Sequence, residues 1–126
     1  MENCLQVCRT GRRLRGCICI SCCAGPRHAR TEGPVSIPQL CRGLHTEDGT
    51  VPENSLPAFR AAAEAGYAVE MDVHLTADDQ LVVFHDDTLE RMCGVPGVID
   101  DFTLAELRAL RLGDTDCVIP TFAEAL

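Results

Sequence analysis

The feature that most constrains the fold is a pair of strand-like segments separated by a short polar turn. Residues Ala68–Leu75 alternate between apolar and polar side chains, which is the two-residue period of a half-buried strand. Leu81–Phe84 is a continuous apolar run, which is typical of a strand covered on both faces. Between them, Thr76–Asp79 is rich in turn-forming residues. These segments predict a sheet of largely buried strands at the centre of the fold.

A third strand and a helix are predicted before this pair. Val35–Cys41 has strand composition, although Pro38 interrupts it because proline cannot donate a ladder hydrogen bond. In the helix that follows, Asn54 can cap the first turn and Pro57 is tolerated there, because its missing N–H has no helical partner. Gly66 is expected to end this helix.

Two capping boxes mark later helices. Thr103 and Glu106 have the spacing of one box, which predicts a helix over Leu104–Leu110. Thr121 and Glu124 have the spacing of a second box. Alternation of strands and helices along the chain implies a parallel α/β architecture.

The first 33 residues have a different composition from the rest. Residues 1–30 hold six Arg against one acid, and six of the nine Cys lie before residue 24. We expect residues 1–33 to be an Arg/Cys-rich extension, disordered or the result of a mis-assigned start, and residues 34–126 to form the folded part. The expected location is cytoplasmic; the alternative is export, if residues 1–30 act as a weak signal peptide. The apolar run at 17–24 is too short to span a bilayer, so no stable membrane anchor is expected.

The remainder of the chain is acidic. Residues 31–126 hold five Arg against eighteen Asp and Glu. This balance argues against nucleic-acid binding, which needs clustered cations facing phosphate. It suits a site in which carboxylates hold a divalent cation.

Polar side chains of catalytic type cluster at the ends of the three predicted strands. Cys41 and Arg42 follow the first, Glu70 and Asp72 lie within the second, and His85 and Asp86 follow the third. In a (β/α)₈ barrel the carboxyl ends of the strands form the rim of the active site. The pattern therefore predicts that these side chains meet at one rim.

Each of these candidates has a functional and a structural interpretation. Glu70 and Asp72 point to the same face of a strand, and a Ca²⁺ or Mg²⁺ ion would offset the cost of burying two carboxylates. The alternative is an exposed polar face on an edge strand. His85 is placed to act as a general acid or base, or it is a hydrogen-bonded structural residue. Arg42 offers a planar donor group that matches phosphate, or it forms a surface salt bridge.

A series of short motifs falls in order along the chain after Pro34. They are Arg42-Gly43, Pro52–Ser55, Ala58-Phe59, Glu70–Thr76, Val82–Leu89 with Arg91, Thr103–Leu107 and Ile119–Thr121. Together they resemble the glycerophosphodiester phosphodiesterase family, over the whole chain from about Pro34.

The resemblance implies a fold, a reaction and a set of roles. The fold is a TIM (β/α)₈ barrel of phosphodiesterase type, truncated here after about the first three strands. The reaction is metal-dependent hydrolysis of a small-molecule glycerophosphodiester to sn-glycerol 3-phosphate and an alcohol. By resemblance Glu70 and Asp72 bind the divalent cation, His85 is one of two catalytic histidines, and Arg42 contacts phosphate.

Two departures from the family pattern bear on activity. Cys41 stands where the family has its first histidine, and a thiol with a pKa near 8.5 is a poorer proton shuttle than an imidazole with a pKa near 6.5. Only three strands are identified, whereas such barrels have eight in about 250 residues. We therefore expect the isolated chain to be unstable and inactive. The alternatives are an inactive remnant or pseudoenzyme, and a lipid phosphodiesterase of the sphingomyelinase D type.

Overall fold

A four-stranded mixed sheet forms the centre of the protein. The computed structural model describes residues 15–20 and 39–126. The strands are β1 (Arg15–Ile20), β2 (Gln39–Cys41), β3 (Ala68–Leu75) and β4 (Leu81–Val83). β3 is the central strand. β1 pairs antiparallel along one of its edges, and β2 and β4 share the other edge.

The directions of β2 and β4 relative to β3 are opposite. β2 is parallel to β3, as predicted, because a helix connects them. β4 is antiparallel to β3, which differs from the parallel arrangement expected from the sequence. Residues 76–80 form a tight hairpin in which the Thr76 N–H donates to the Gln80 carbonyl (2.9 Å). A parallel connection needs roughly a dozen residues or more, so this linker permits only a hairpin.

The strand β1 is not predicted by the sequence. It lies inside the extension 1–33 and pairs with β3 from Arg15 opposite His74 to Ile20 opposite Val69. Its composition of Arg, Gly, Cys and Ile has no clear two-residue period, so only the pairing partner defines it as a strand. The other residues of the extension, residue 34, and residues 35–38 of the first predicted strand lie outside the described part of the chain.

The first helix connects β2 to β3, and its start differs by one residue from the prediction. Helix α1 (Leu56–Glu64) is capped by Ser55, whose hydroxyl accepts from the Ala58 N–H. Asn54 has a left-handed backbone (φ 53°) and so precedes the cap. Gly66 follows the helix with a positive φ, as expected for a residue that ends it.

Short helices follow β4. They are α2 (Glu90–Cys93), a 3₁₀ turn (Ile99–Asp101), α3 (Leu104–Arg108) and α4 (Phe122–Ala125). Both predicted capping boxes are confirmed, at Thr103 with Glu106 and at Thr121 with Glu124. No helix within residues 39–126 combines the length and the apolar character needed to cross a bilayer.

Two apolar clusters pack on opposite sides of β4. Val83 belongs to the first cluster, with α1 and one face of β3, and Val82 and Phe84 belong to the second. All three side chains are buried, as predicted for a strand covered on both faces, whereas Leu81 at the start of the predicted run is 44% exposed. The first cluster consists of Phe59, Ala62, Val69, Met71, Val73 and Val83. The second consists of Val82, Phe84, Leu89, Ile99, Leu107, Leu112 and Ile119.

The opposed directions of β2 and β4 bring their ends together. β2 runs towards the middle of β3 from one side, and the Arg42 N–H just beyond it donates to the Glu70 carbonyl (2.9 Å). β4 runs towards the same point from the other side, and the Phe84 N–H donates to the Asp72 carbonyl (2.9 Å). Residues that follow these two strands therefore meet beside Glu70 and Asp72.

Candidate active site

One small pocket is lined by all five side chains to which the sequence gave a functional role, whereas Asp86 lies beside it. Its volume is about 150 Å³, and its lining residues are Cys41, Arg42, Glu70, Asp72 and His85. The expectation that they share one rim rested on three parallel strands. They meet instead because β2 and β4 converge on β3 from opposite directions. A larger, mainly apolar pocket between α1 and α4 contains none of these five residues.

Glu70 and Asp72 lie on the same side of β3, as their spacing predicts. Both are partly buried, whereas Val69, Met71 and Val73 on the opposite side are in the first apolar cluster. The polar side of β3 therefore faces the pocket, and its apolar side faces α1.

Cys41 is in direct contact with one of these carboxylates. Its thiol donates a hydrogen bond to Glu70 Oε2 (3.1 Å). This hydrogen bond, followed by partial burial and the negative charge of Glu70, raises the pKa of Cys41. The thiol is therefore protonated at neutral pH, and it does not have the activated thiolate of a nucleophilic cysteine.

Arg42 lies among acidic side chains and has an unusual backbone. Its Nη1 donates to Glu53 Oε1 (3.3 Å), and its Nε lies 3.7 Å from Asp72 Oδ2. Its φ is 62°, a left-handed conformation that is costly for a residue with a side chain. Gly43 follows with a φ of 82°, so the chain turns sharply at the end of β2. This turn directs the guanidinium towards the pocket carboxylates.

Gly43 is required by close packing as well as by its backbone angle. A Cβ at this position would lie 2.9 Å from the carbonyl carbon of Ala58 and 3.0 Å from its carbonyl oxygen. The Leu44 N–H donates to that same oxygen (3.0 Å). The loop after β2 is therefore seated directly on α1, and this contact fixes the position of Arg42.

His85 is held by a carboxylate that is itself held by an arginine. His85 Nδ1 lies 2.6 Å from Asp86 Oδ1, and Arg91 Nη2 donates to the same oxygen (2.9 Å). The hydrogen bond from Arg91 is the main reason that the pKa of Asp86 falls to about 2. Asp86 is therefore an ionised acceptor, and Nδ1 of His85 must be the donor. This arrangement leaves Nε2 as the nitrogen that can exchange a proton.

Arg91 also connects this pair to Glu53. Its Nη2 donates to Glu53 Oε1 (2.6 Å), so one guanidinium serves two carboxylates. Both contacts raise the pKa of Arg91, with that to Asp86 contributing most. Burial alone would raise the pKa of Glu53, but hydrogen bonding to Arg91 and the charges of Arg91 and Arg42 outweigh it, and the pKa is lowered.

Sequence reasoning placed Asp86 beside His85 at the end of the third predicted strand but gave it no chemical role, and it gave none to Glu53 or Arg91. All three belong to the motifs that carry the family resemblance, and this membership is the signal that could have identified them as site residues. Their pairing was not predictable, because Glu53 and Arg91 are 38 residues apart and meet only through the fold.

Two groups of side chains in the described chain have the chemistry to hold a cation. Carboxylate and imidazole atoms of Glu53, His85 and Asp86 lie within 4.8 Å of one another. The guanidinium of Arg91 is already paired with both carboxylates of that group and offsets one of their two negative charges. Glu70 and Asp72 present oxygen atoms to the pocket itself. Their donor set fits a divalent cation, since carboxylate oxygens are the ligands that hard cations prefer.

Two further histidines have structural contacts. His74 is buried, and its Nδ1 lies 3.0 Å from Asp100 Oδ1. His45 is exposed, and its Nδ1 lies 3.1 Å from the Gly43 carbonyl oxygen. Neither lines the pocket.

Comparison with known proteins identifies the family. The model of the glycerophosphoryl diester phosphodiesterase family matches residues 42–126, which is more than half of the chain. The chain belongs to this family. The fold is accordingly the first part of the TIM barrel of these phosphodiesterases, as the resemblance implied.

Relatives and solved structures agree with this assignment. A glycerophosphodiester phosphodiesterase of Caldanaerobacter subterraneus is 47% identical over 64 residues, covering 50% of this chain and 26% of the relative. A human lysophospholipase D is 43% identical over 56 residues, covering 44% of this chain and 18% of the relative. The chain therefore spans about a quarter or less of these relatives.

Two solved structures match the fold. A Thermotoga maritima glycerophosphodiester phosphodiesterase has a TM-score of 0.60 and 38% identity, over 75% of this chain and 39% of that one. An Oleispira antarctica phosphodiesterase, solved with its product sn-glycerol-3-phosphate, has a TM-score of 0.60 and 34% identity. That match covers 71% of this chain and 38% of the other.

Proposed function

We propose that this chain carries the metal- and phosphate-binding part of a glycerophosphodiester phosphodiesterase site. The observation that carries the proposal is the single pocket lined by Cys41, Arg42, Glu70, Asp72 and His85. The substrate is a small-molecule glycerophosphodiester, and the products are sn-glycerol 3-phosphate and an alcohol. The Oleispira relative with bound sn-glycerol-3-phosphate supports this substrate class.

The two carboxylates hold a cation, and Arg42 binds the reacting phosphate group. Glu70 and Asp72 hold the divalent cation, for which Ca²⁺ or Mg²⁺ is the expected identity. When bound, the cation supplies positive charge that stabilises the charge developing on the phosphate oxygens. Arg42 donates from its guanidinium to a phosphate oxygen, and Glu53 limits its movement through the contact to Nη1.

His85 exchanges protons with the substrate through Nε2. The hydroxyl of glycerol next to the ester attacks phosphorus, the bond to the alcohol breaks, and water then opens the cyclic phosphate. His85 takes the proton of the attacking hydroxyl or gives one to the leaving oxygen. Asp86 keeps Nδ1 protonated, so the ring presents Nε2 to the pocket.

A second candidate function is cation binding without turnover. The observation that favours it is the protonated thiol of Cys41 hydrogen-bonded to Glu70, at the position of the family's first histidine. Without that histidine one of the two proton-transfer groups is missing. Loss of one such group commonly costs about 10²–10⁴ in rate.

The test compares three chains in one assay. The parent, Cys41→His and Cys41→His with Glu70→Gln are incubated with glycerophosphocholine and Mg²⁺ or Ca²⁺, and release of sn-glycerol 3-phosphate is measured. Cation binding to the parent and to Glu70→Gln is measured by calorimetry. We expect cation binding that depends on Glu70, with turnover raised in Cys41→His.

The outcomes separate the two candidates. Turnover by the parent supports the phosphodiesterase. Glu70-dependent binding without turnover in the parent or in Cys41→His supports the second candidate. Equal cation binding by the parent and Glu70→Gln would contradict both.

A further inference from the structure

A cluster of ligand atoms beside the pocket is in contact with a guanidinium. Glu53, His85 and Asp86, which we call the histidine cluster, have ligand atoms within 4.8 Å of one another, close enough to share an ion. Arg91 contacts both carboxylates of this cluster. We propose that the Arg91 guanidinium is a fixed cation that takes the place of a metal ion there. Arg91 is thereby a positioning residue that reserves His85 for proton transfer. The proposal rests on the proposed function for the role of His85.

The guanidinium already binds the oxygen atoms that an ion would need. Arg91 Nη2 donates to Glu53 Oε1 (2.6 Å) and to Asp86 Oδ1 (2.9 Å). Arg91 Nη1 donates to Glu53 Oε2 (3.2 Å), and Nε donates to Asp86 Oδ2 (2.5 Å). Every oxygen atom of the two carboxylates therefore accepts from one side chain. A metal ion at these atoms would have to compete with charge-assisted hydrogen bonds, which are the stronger kind.

The charges of the histidine cluster are balanced without an ion. Arg91 offsets one of the two negative charges of Glu53 and Asp86, and Arg42 makes a second, longer contact to Glu53 (3.3 Å). The carboxylate side chains of Glu53 and Asp86 are only 12% and 19% exposed, so solvent screens these charges less than it would at an open surface. A divalent cation would therefore bring excess positive charge to this point.

A guanidinium and a metal ion would have opposite effects on the His85 ring. Nδ1 of His85 donates to Asp86 Oδ1 (2.6 Å), an oxygen to which Arg91 also donates. A metal ion binds a ring nitrogen only in its deprotonated form. An ion on Nδ1 would leave the proton of the neutral ring on Nε2, which could then donate a proton but not accept one. The guanidinium supplies positive charge and leaves the proton on Nδ1.

The experiment removes the fixed charge and counts the ions that the protein binds. Arg91→Met replaces the guanidinium with an unbranched neutral side chain. Arg111→Met is the control with the same change of net charge, since Arg111 donates to two backbone carbonyls. The full chain is titrated with Mn²⁺, which prefers oxygen ligands over the thiols of the chain. Electron paramagnetic resonance measures the free ion, and the bound ion follows by difference.

We expect Arg91→Met to bind about one Mn²⁺ more than the parent, because its carboxylates have lost their fixed countercharge. Adding Glu53→Gln should weaken binding of this extra ion by more than about tenfold, since even the outer partners of metal ligands contribute about 10- to 100-fold. Arg111→Met should bind as the parent does, and so should Arg91→Lys, which keeps a positive charge. A residue with a merely structural role would not gain an ion when it is replaced.

The position of the His85 ring proton tests the positioning role. Nitrogen NMR locates this proton above the ordinary histidine pKa of about 6.5, with Mg²⁺ in place of the paramagnetic Mn²⁺. The proton should stay on Nδ1 in the parent and should leave Nδ1 in Arg91→Met when the ion is bound. A proton that leaves Nδ1 in the parent, or that stays there in ion-bound Arg91→Met, would contradict this role.

The proposal is wrong if Arg91→Met binds no more Mn²⁺ than the parent, or if the extra ion does not depend on Glu53. It is also wrong if Arg91→Lys binds the extra ion as tightly as Arg91→Met does. If Arg91→Met is unfolded without an ion, circular dichroism should show that Mn²⁺ restores the fold, because binding to the folded state stabilises it. A chain that stays unfolded at saturating Mn²⁺ would overturn the proposal as well.

Glu70→Gln separates this inference from the proposed function. The cation of the proposed function depends on Glu70, whereas the extra ion of Arg91→Met does not. Equal Mn²⁺ binding by the parent and Glu70→Gln contradicts the proposed function, and an extra ion in Arg91→Met still supports the fixed cation. Glu70-dependent binding in the parent without an extra ion in Arg91→Met overturns this inference alone.

Discussion

Single residues hold the site in place through contacts that leave little freedom. Gly43 brings the end of β2 against Ala58 of α1, and no residue with a side chain fits there. Arg91 holds two carboxylates with one guanidinium. The side chains proposed to act on substrate therefore depend on residues that do not line the pocket.

Replacing Gly43 with Ala should destabilise the protein through overlap with α1. Gly49→Ala is the matched control, because Gly49 has a similar φ of 76° but open space around it. We expect Gly43→Ala to lower the free energy of unfolding by about 1–3 kcal/mol more than the control. The measurement is urea unfolding in a buffer with an excluded osmolyte, which supports a marginally stable fold. Equal losses in the two variants would contradict the packing argument.

Replacing Arg91 with Lys should weaken the group formed by Glu53, Asp86 and His85. A lysine cannot bridge both carboxylates with a planar fork, and we expect a loss of about 1 kcal/mol because Arg91 is half-exposed. Arg111→Lys is the control, since the Arg111 guanidinium donates to two backbone carbonyls. High salt should reduce the difference in free energy of unfolding between the two variants. A difference that salt does not change would argue against an electrostatic cause.

The secondary-structure elements are joined by polar caps as much as by apolar contacts. Asp78, in the β3–β4 hairpin, accepts from the N–H of Leu104 at the start of α3 (2.9 Å). Glu106 closes the capping box on Thr103 from the other side. Asp78 thus connects the hairpin to α3, Glu106 closes the cap of α3 itself, and both carboxylates accept these hydrogen bonds in their ionised form.

These caps predict that stability falls in mild acid. Hydrogen bonds from Thr76 and Leu104 lower the pKa of Asp78 below its ordinary 3.8, and those from Thr103 lower the pKa of Glu106 below 4.5. Because the folded pKa is the lower one, the contribution is complete above about pH 4.5 and is lost as the pH falls. As the pH falls through this range, the melting temperature should decline less in the double variant Asp78→Asn, Glu106→Gln than in the parent. An unchanged pH profile in that variant would assign the acid sensitivity to other groups.

Replacing Thr103 with Ala should weaken the start of α3. Its hydroxyl accepts from the Glu106 N–H, and loss of such a cap typically costs about 0.5–2 kcal/mol. Thr103→Ser keeps the cap and should stay near the parent in urea unfolding. A similar loss in both variants would point to the methyl group rather than the cap.

At the scale of the molecule, β4 is the element shared by both apolar clusters. Val83 packs on α1 and the apolar face of β3, and Val82 packs with Phe84 on the opposite side. The two clusters should therefore unfold together. The expectation that the isolated chain is unstable and inactive stays a prediction.

A substitution in the core of one cluster should lower the stability of the other cluster as well. Leu89 is fully buried in the second cluster, and Leu89→Ala should cost about 2–5 kcal/mol. Tyr67 is the single tyrosine of a chain without tryptophan, and it packs on the first cluster. In Leu89→Ala we expect the unfolding midpoint followed by Tyr67 fluorescence to fall as much, relative to the parent, as the midpoint followed by circular dichroism. A Tyr67 transition that stays at the parent midpoint would show that the clusters unfold separately.

The local features and the identity of the five pocket residues could be predicted from the amino-acid sequence alone. The two-residue period of Ala68–Leu75 placed Glu70 and Asp72 on one face, and the capping boxes placed the starts of two helices. These signals are local because strand and helix periodicities are properties of short segments. The family motifs, in order, were sufficient to indicate the barrel.

How these residues meet depends on contacts between segments that are distant in the sequence. The reversal of β4, the pairing of β1 with β3 and the contact of Arg91 with Glu53 depend on the path of the chain between distant segments. Periodicity within a segment does not predict this path. The direction of a strand and the partner of a charged side chain depend on where neighbouring elements pack. The thiol–carboxylate contact of Cys41 with Glu70 belongs to the same class, since it exists only where β2 ends beside β3.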